Sequence, residues 1–175
     1  MPVQQLKEYL DEQQIRYVSV QHSPAFTAQE IAHSAHIRGD RLAKTVIIDI
    51  DGKMAMVVLP ASYRIRWDKF MNAMGTDFIE LADEDEFKDA FPGCEVGAMP
   101  PFGNLYSMNI YLCDALAQHE EIAFSAGTHS ETIKMSYQDY ISLACPVILS
   151  EGFAKPECKK KTPSWLMAQR TAKIA

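Results

Sequence analysis

The sequence predicts a single domain of the α/β class, α+β in type, and three observations carry that expectation. Two apolar runs of strand length flank Asp51-Gly52. Capped helical stripes and shorter strand-like runs lie on both sides of that pair. The 175 residues suffice to bury one full core, and 47% of them are hydrophobic.

Taken in order, Val3, Leu6 and Leu10 recur at helical spacing behind Pro2, a residue suited to a first turn. Ile15 to Val20 reads as a short strand, Tyr17 and Ser19 alternating with Val18 and Val20. Thr27-Ala28-Gln29-Glu30 has capping-box spacing and opens a helix expected to run to about His36. Next comes the hairpin, residues 46–50 and 54–59 around Asp51-Gly52, a dipeptide that type I′ turns favour. A two-residue turn pairs Ile50 with Lys53, Ile48 with Ala55, Val46 with Val57 and Lys44 with Leu59. Strand parity then places Lys44 on the same face as Val46, Ile48 and Ile50. Both faces are largely apolar, so the hairpin is expected to be central, with Lys44 at the rim of the core.

Beyond it, Trp67, Phe70, Met71 and Met74 form a helical stripe that stops at Gly75. Asp83 and Glu86 form a second capping box before Phe87, Ala90 and Phe91, with Pro92-Gly93 as the stop. Tyr106 to Leu112 and Ile122 to Phe124 read as strands. Ser136 and Asp139 cap a helix carrying Tyr140, Ile141 and Leu143, ended before Pro146. From about Lys155 the composition turns basic, with Lys159-Lys160-Lys161 and a short helix expected over Trp165 to Ile174. The expected division is a domain over 1–153 and a basic C-terminal extension over 154–175.

Charge and cysteine content narrow the function. Lysine and arginine number 17 against 23 aspartates and glutamates, a net charge of −6 that disfavours binding along a nucleic-acid backbone. Arg38, Arg41 and Lys44, and separately Arg64, Arg66 and Lys69, are local basic clusters that could meet a short nucleic-acid end. Cys94, Cys113, Cys145 and Cys158 show no C-x-x-C pattern, the N-terminus is polar, and no apolar run is long enough to span a bilayer. Reduced thiols, a cytoplasmic location and no membrane partner are expected.

Three features bear chemistry. Lys44 combines inward parity with a neighbourhood poor in other charge, and a partly desolvated ammonium calls for an anionic visitor such as phosphate. The run Gly97-Ala98-Met99-Pro100-Pro101-Phe102-Gly103 pairs glycine freedom with proline stiffness, so its backbone N–H groups could hold a carbonyl oxygen or an oxyanion. Gly127-Thr128-His129 follows a strand, where His129 could donate a hydrogen bond or act as acid or base. His22, His33, His36 and His119 assemble no metal site by spacing, and no cofactor motif occurs. No G-x-S-x-G elbow or catalytic cysteine context is present. Any catalysis would therefore rest on positioning and on the substrate's own groups.

Four segments together resemble the YbaK/prolyl-tRNA synthetase-associated domain family of trans-editing aminoacyl-tRNA deacylases. They are His22-Ser23-Pro24-Ala25-Phe26-Thr27, Leu42-Ala43-Lys44-Thr45-Val46, the Gly97-x-x-x-Pro101 loop, and Phe124-Ser125-Ala126-Gly127-Thr128-His129, within a similarity spanning about residues 1–153. The resemblance implies a curved mixed sheet flanked by helices and a cofactor-free, metal-free hydrolase acting on mischarged tRNA. It assigns Lys44 to the tRNA end through phosphate or ribose contacts. It assigns the backbone of Gly97, Ala98, Met99, Pro100 and Pro101 to the aminoacyl carbonyl and its developing oxyanion. Water attack would be helped by a hydroxyl of the terminal ribose. Phe26, Thr45, Gly127, Thr128 and His129 would line the substrate pocket, without established individual roles. Family substrates carry alanine, serine or threonine, or cysteine, and an aminoacyl-tRNA synthetase is a possible partner. The basic tail after Lys155 departs from the family core. Two other readings stand beside this one: a non-catalytic module binding tRNA ends or nucleotides, and a hydrolase of free amino-acid esters.

Overall fold

A computed structural model describes residues 2–155. The expected helix at Trp165–Ile174 and nearly all of the basic extension lie outside them. Helix α1 (Pro2–Glu12) opens the chain, with Leu6 and Leu10 buried, and leads to edge strand β1 (Tyr17–Gln21). The Thr27 capping box is complete and starts α2 (Ala28–Ser34), which ends two residues before His36. Then come β2 (Leu42–Ile50) and β3 (Lys53–Pro60), joined by Asp51-Gly52 with both φ angles positive, as a type I′ turn requires. Their register pairs Lys44 with Leu59 and Ile50 with Lys53, as parity predicts.

Strand β4 (Arg64–Ile65) is followed by α3 (Trp67–Met74), closed by Gly75 in the left-handed conformation. Strand β5 (Ile79–Leu81) precedes α4 (Glu84–Phe87), whose Asp83–Glu86 capping box is also present. The strand expected from Tyr106 begins only at Asn109, as β6 (Asn109–Cys113). Gly103–Tyr106 forms a 3₁₀ turn instead, because Ser107 enters the left-handed region and breaks the extended run. Strands β7 (Glu121–Ser125) and β8 (Glu131–Ser136) form a hairpin, and Ser136 caps α5 (Tyr137–Ala144). The short strands β9 (Val147–Leu149) and β10 (Phe153–Ala154) follow, and the expected boundary after residue 153 falls within β10.

The main sheet runs β1-β8-β7-β2-β3-β6-β9, with β5 added on β2; β4 and β10 pair separately. It mixes parallel and antiparallel neighbours, and the β2–β3 hairpin sits at its centre. Helices cover both faces. Ala43, Ile47, Met56 and Val58 pack under α1 and α5 with Phe102, Phe124 and Tyr140. On the opposite face two smaller clusters divide the cover. Leu42 and Ala123 lie under α2, while Ile48, Val57 and Leu59 lie under Phe70 of α3.

Strand β8 is absent from the sequence reading because it presents polar residues to the interior. Glu131 is only 7% exposed, and its carboxylate accepts from the Ser19 hydroxyl and pairs with Lys7 of α1. Burial pushes this carboxyl up, but hydrogen bonds from Lys7, Ser19 and Gln21, with the Lys7 charge, outweigh it and hold the pKa below the ordinary 4.5. A depressed carboxylate contributes stability that is complete above its ordinary pKa and lost as pH falls through the folded value. Glu131→Gln is therefore expected to cost about 1–3 kcal/mol at neutral pH. In urea titrations the gap from wild type should close on acidification below about pH 4.5; a pH-independent gap would refute the ion-pair account.

Candidate functional site

The site arises from a gap in the sheet. Along one edge of β2, β7 pairs only with Leu42 and Ala43, and β5 pairs only with Ile48 to Ile50. Between them, among the described residues, Lys44 to Ile47 have no neighbouring strand on that side, although the Ala82 N–H reaches the Ile47 carbonyl at 3.1 Å. A narrow cleft occupies the gap. Helix α2 contributes Ala28 and Ile31, β2 contributes Leu42 to Thr45, β7 ends there with Ser125, and Gly97 and Met99 complete the lining.

Lys44 and Thr45 point to opposite faces of β2, so the cleft is reached from both sides of the strand. Lys44 is half-buried and lies between the two clusters that α2 and α3 cover. Its Nζ donates to the Tyr63 carbonyl at 2.7 Å, and among the described residues it forms no ion pair. Burial, then the nearby Arg64 charge, pulls its pKa below the ordinary lysine value. An ammonium so placed has N–H capacity to spare and gains from an arriving anionic oxygen.

The two glycine-bearing loops are one structure. The Glu95 N–H donates to the Gly127 carbonyl and the Gly127 N–H to the Ala98 carbonyl, both at 2.9 Å. The Glu95 carboxylate accepts from the His129 N–H, closing the third link. Within the first loop, the Ala98 N–H is engaged by the Glu95 carbonyl at 2.9 Å, and Pro100 and Pro101 carry none. Gly97, at φ +86°, turns its N–H to the Met99 sulfur at 3.2 Å, a soft acceptor that an incoming oxygen readily replaces. Ala98, Met99, Pro100 and Pro101 are all buried. The Tyr140 hydroxyl donates to the Pro101 carbonyl at 2.9 Å and anchors the loop from below.

A third segment closes the rim. The Ala25 N–H donates to the His129 carbonyl and the His22 N–H to that of Ser130, both at 2.9 Å. Phe26 is 71% exposed, its ring centroid 4.8 Å from that of His129 at a 51° tilt. A Cβ placed on Gly97 would lie 3.6 Å from His129 Cε1, and His129 Nδ1 is buried without a hydrogen-bond partner among the described residues. Phe26 and His129 thus form the outer wall beside Gly97, with Gly127 behind it in the hydrogen-bonded link. Lys44 and Thr45 of β2 line the same cleft as Gly97.

Ser125, Ala28 and Ile31 are additions to the residues singled out in the sequence. Ser125 lies inside a quoted segment, but its place in the cleft depends on β7 lying beside β2, which no local pattern announces. Cys113 is buried and its thiol is pushed up to about 11, which leaves little thiolate for nucleophilic work. Among the described residues, no group of three or more His, Cys, Asp and Glu side chains is placed to hold a metal ion.

Comparison with known proteins matches the chain to a family. Residues 22–143 match the model of the aminoacyl-tRNA editing domain. The chain is 27% identical over 89 residues to a proline–tRNA ligase of Bacillus cereus strain G9842, covering 51% of this chain and 16% of that protein. It is 28% identical over 75 residues to proline–tRNA ligase 1 of Bacillus thuringiensis subsp. konkukian strain 97-27, covering 43% of this chain and 13% of that protein. The chain thus corresponds to a small part of each ligase. A crystal structure described as a candidate trans-editing enzyme for prolyl tRNA synthetase superposes with a TM-score of 0.73 at 16% identity, covering 86% of this chain and 96% of the other. That likeness concerns the fold alone. The family match spans all four segments around the cleft, and the chain belongs to the aminoacyl-tRNA editing domain family.

Proposed function

We propose that the protein is a trans-editing aminoacyl-tRNA deacylase, cytoplasmic, which removes a small amino acid from the acceptor end of mischarged tRNA. The observation that carries this reading is the cleft itself. It is lined both by Lys44, whose half-buried ammonium donates to the Tyr63 carbonyl, and by Gly97, whose N–H rests on the Met99 sulfur, in a chain of the editing family.

In the proposed reaction Lys44 meets a phosphate or ribose oxygen of the terminal adenosine. The aminoacyl carbonyl oxygen faces the Gly97 N–H. Water forms a bond to the carbonyl carbon, and the resulting oxyanion shortens its hydrogen bond to that N–H. The ester C–O bond then breaks, and the departing ribose oxygen receives the proton that the water released, passed through the neighbouring ribose hydroxyl. Free amino acid and intact tRNA leave. Ala28, Ile31 and Met99 give the cleft an apolar, narrow wall, which favours side chains the size of alanine, serine, threonine or cysteine. Prolyl-tRNA synthetase is the partner whose errors such an enzyme would correct.

The test is a panel of tRNAs charged with alanine, serine, threonine, cysteine or proline, scored for free amino acid. Rapid release from one mischarged species is the expected result. Tight tRNA binding with no release from any species would replace the reading with a non-catalytic tRNA-end module. Equal release from free amino-acid esters would make it a general esterase.

A further inference from the structure

We propose a second anion site in this molecule: the cavity under the C-terminal end of α2 holds phosphates of the tRNA 3′ strand, upstream of the esterified nucleotide. This inference rests on the deacylase reading for the identity of its ligand. The cavity measures about 250 Å³ and gathers Arg38, Arg41, Lys134 and His36 around a single carboxylate, Glu121. In a chain of net charge −6 this is a local reversal of sign, the arrangement that draws in and orients a polyanion.

The charges are unequally committed. Arg38 forks onto Asp40, Nε to Oδ1 at 3.2 Å and Nη2 to Oδ2 at 2.7 Å. Arg41 and Lys134 form no ion pair among the described residues, so they carry the site. The sheet register fixes their relation to the cleft. Lys134 pairs with Ala123, Ala123 pairs with Leu42, and Lys44 stands two residues further along β2 on the same face. At usual strand spacings, the Lys134 and Lys44 Cα atoms lie ~12 Å apart, two strands across and two residues along. Helix α2 covers Ala123 and Leu42 between the two lysines, so a strand that met both would pass over that helix.

His36 lies on the cavity wall. It occupies the left-handed region at φ +53°, just past the end of α2, where the Ile37 N–H closes onto the Ala32 carbonyl at 2.8 Å. Glycine is the usual residue at such a position, and a side chain there costs roughly 1–2 kcal/mol.

The probe is a 5′-labelled single-stranded RNA of about eight nucleotides ending in CCA, its binding followed by fluorescence anisotropy across a salt series. Arg41→Glu and Lys134→Glu should each weaken binding about tenfold. Arg41→Gln and Lys134→Gln should each flatten the log–log salt slope by about 0.7. Glu121→Lys should tighten binding. Inorganic phosphate at matched ionic strength should not displace the RNA. Unchanged affinity and slope in the Arg41 and Lys134 variants, with thermal unfolding confirming their folds, would overturn the proposal, as would displacement by phosphate alone. The two readings fail separately. RNA binding that depends on Arg41 and Lys134 without any deacylation removes the enzyme and keeps the site. Deacylation with RNA binding indifferent to both residues does the reverse.

Discussion

Gly103→Ala is expected to lower stability by about 3 kcal/mol, near the top of the usual range for forcing a methyl group into a packed core. A Cβ on Gly103 would lie 2.5 Å from the Met108 carbonyl oxygen and 2.8 Å from Ile110 Cγ1. Neither neighbour can give way easily. The Met108 N–H is already bonded to the Gly103 carbonyl at 2.9 Å, and Ile110 belongs to β6, which β3 and β9 hold from both sides. For a chain of this size the loss corresponds to roughly 6–12 °C in Tm. Gly97→Ala provides the contrast. Its Cβ would meet only His129 Cε1, at an ordinary 3.6 Å, so the cost is the left-handed φ alone, roughly 1–2 kcal/mol. Comparing the two variants by thermal unfolding separates a glycine kept for close packing from one kept for backbone direction. Equal losses would show that the clash at Gly103 relaxes.

Lys44→Met should show the opposite pattern, with deacylation falling at least a hundredfold and stability moving by less than about 1 kcal/mol. Two terms oppose each other in the fold. The ammonium is desolvated and lies near Arg64, and both facts disfavour its charged form; removing it also forfeits the hydrogen bond to Tyr63. The sign of the linkage follows from the lowered pKa. The charged form carries its penalty in full below the folded pKa, and the penalty fades as pH rises through that value. Wild type should therefore gain stability relative to Lys44→Met as the solution becomes alkaline. Lys44→Arg keeps the charge, but a planar fork cannot reproduce a compact ammonium in a narrow cleft, so activity should not recover fully. Loss of fold and activity together would assign Lys44 a structural role.

What the sequence disclosed was what short-range chemistry determines. The period-two run around Asp51-Gly52 dictated the hairpin register down to Lys44 opposite Leu59. Local caps likewise announced α2, α3, α4 and α5, because Thr27, Gly75, Asp83 and Ser136 act within one turn of their own positions. Tyr106 misled because it alternates with Met108 and Ile110 as a strand residue would, while its ring is drawn aside onto Phe91, centroids 4.4 Å apart. Glu131 hid a strand because its partners Lys7 and Ser19 lie more than a hundred residues away along the chain. The candidate site divides in the same way. Lys44 and the glycine loops are visible as residue types, whereas the gap between β7 and β5 is set by strand order, which local pattern does not encode. Ser125, Ala28 and Ile31 enter the cleft only through that order.

In the proposed reaction the protein positions and polarises the ester while the tRNA's own terminal ribose relays the proton. This is tested most directly by the single-turnover hydrolysis rate of the best panel substrate, measured with and without the hydroxyl beside the ester. The account predicts a rate loss of two orders of magnitude or more for the deoxy substrate, with its affinity unchanged. Hydrolysis of both substrates at the same rate would contradict it and require a proton relay within the protein, His129 being the first residue to replace.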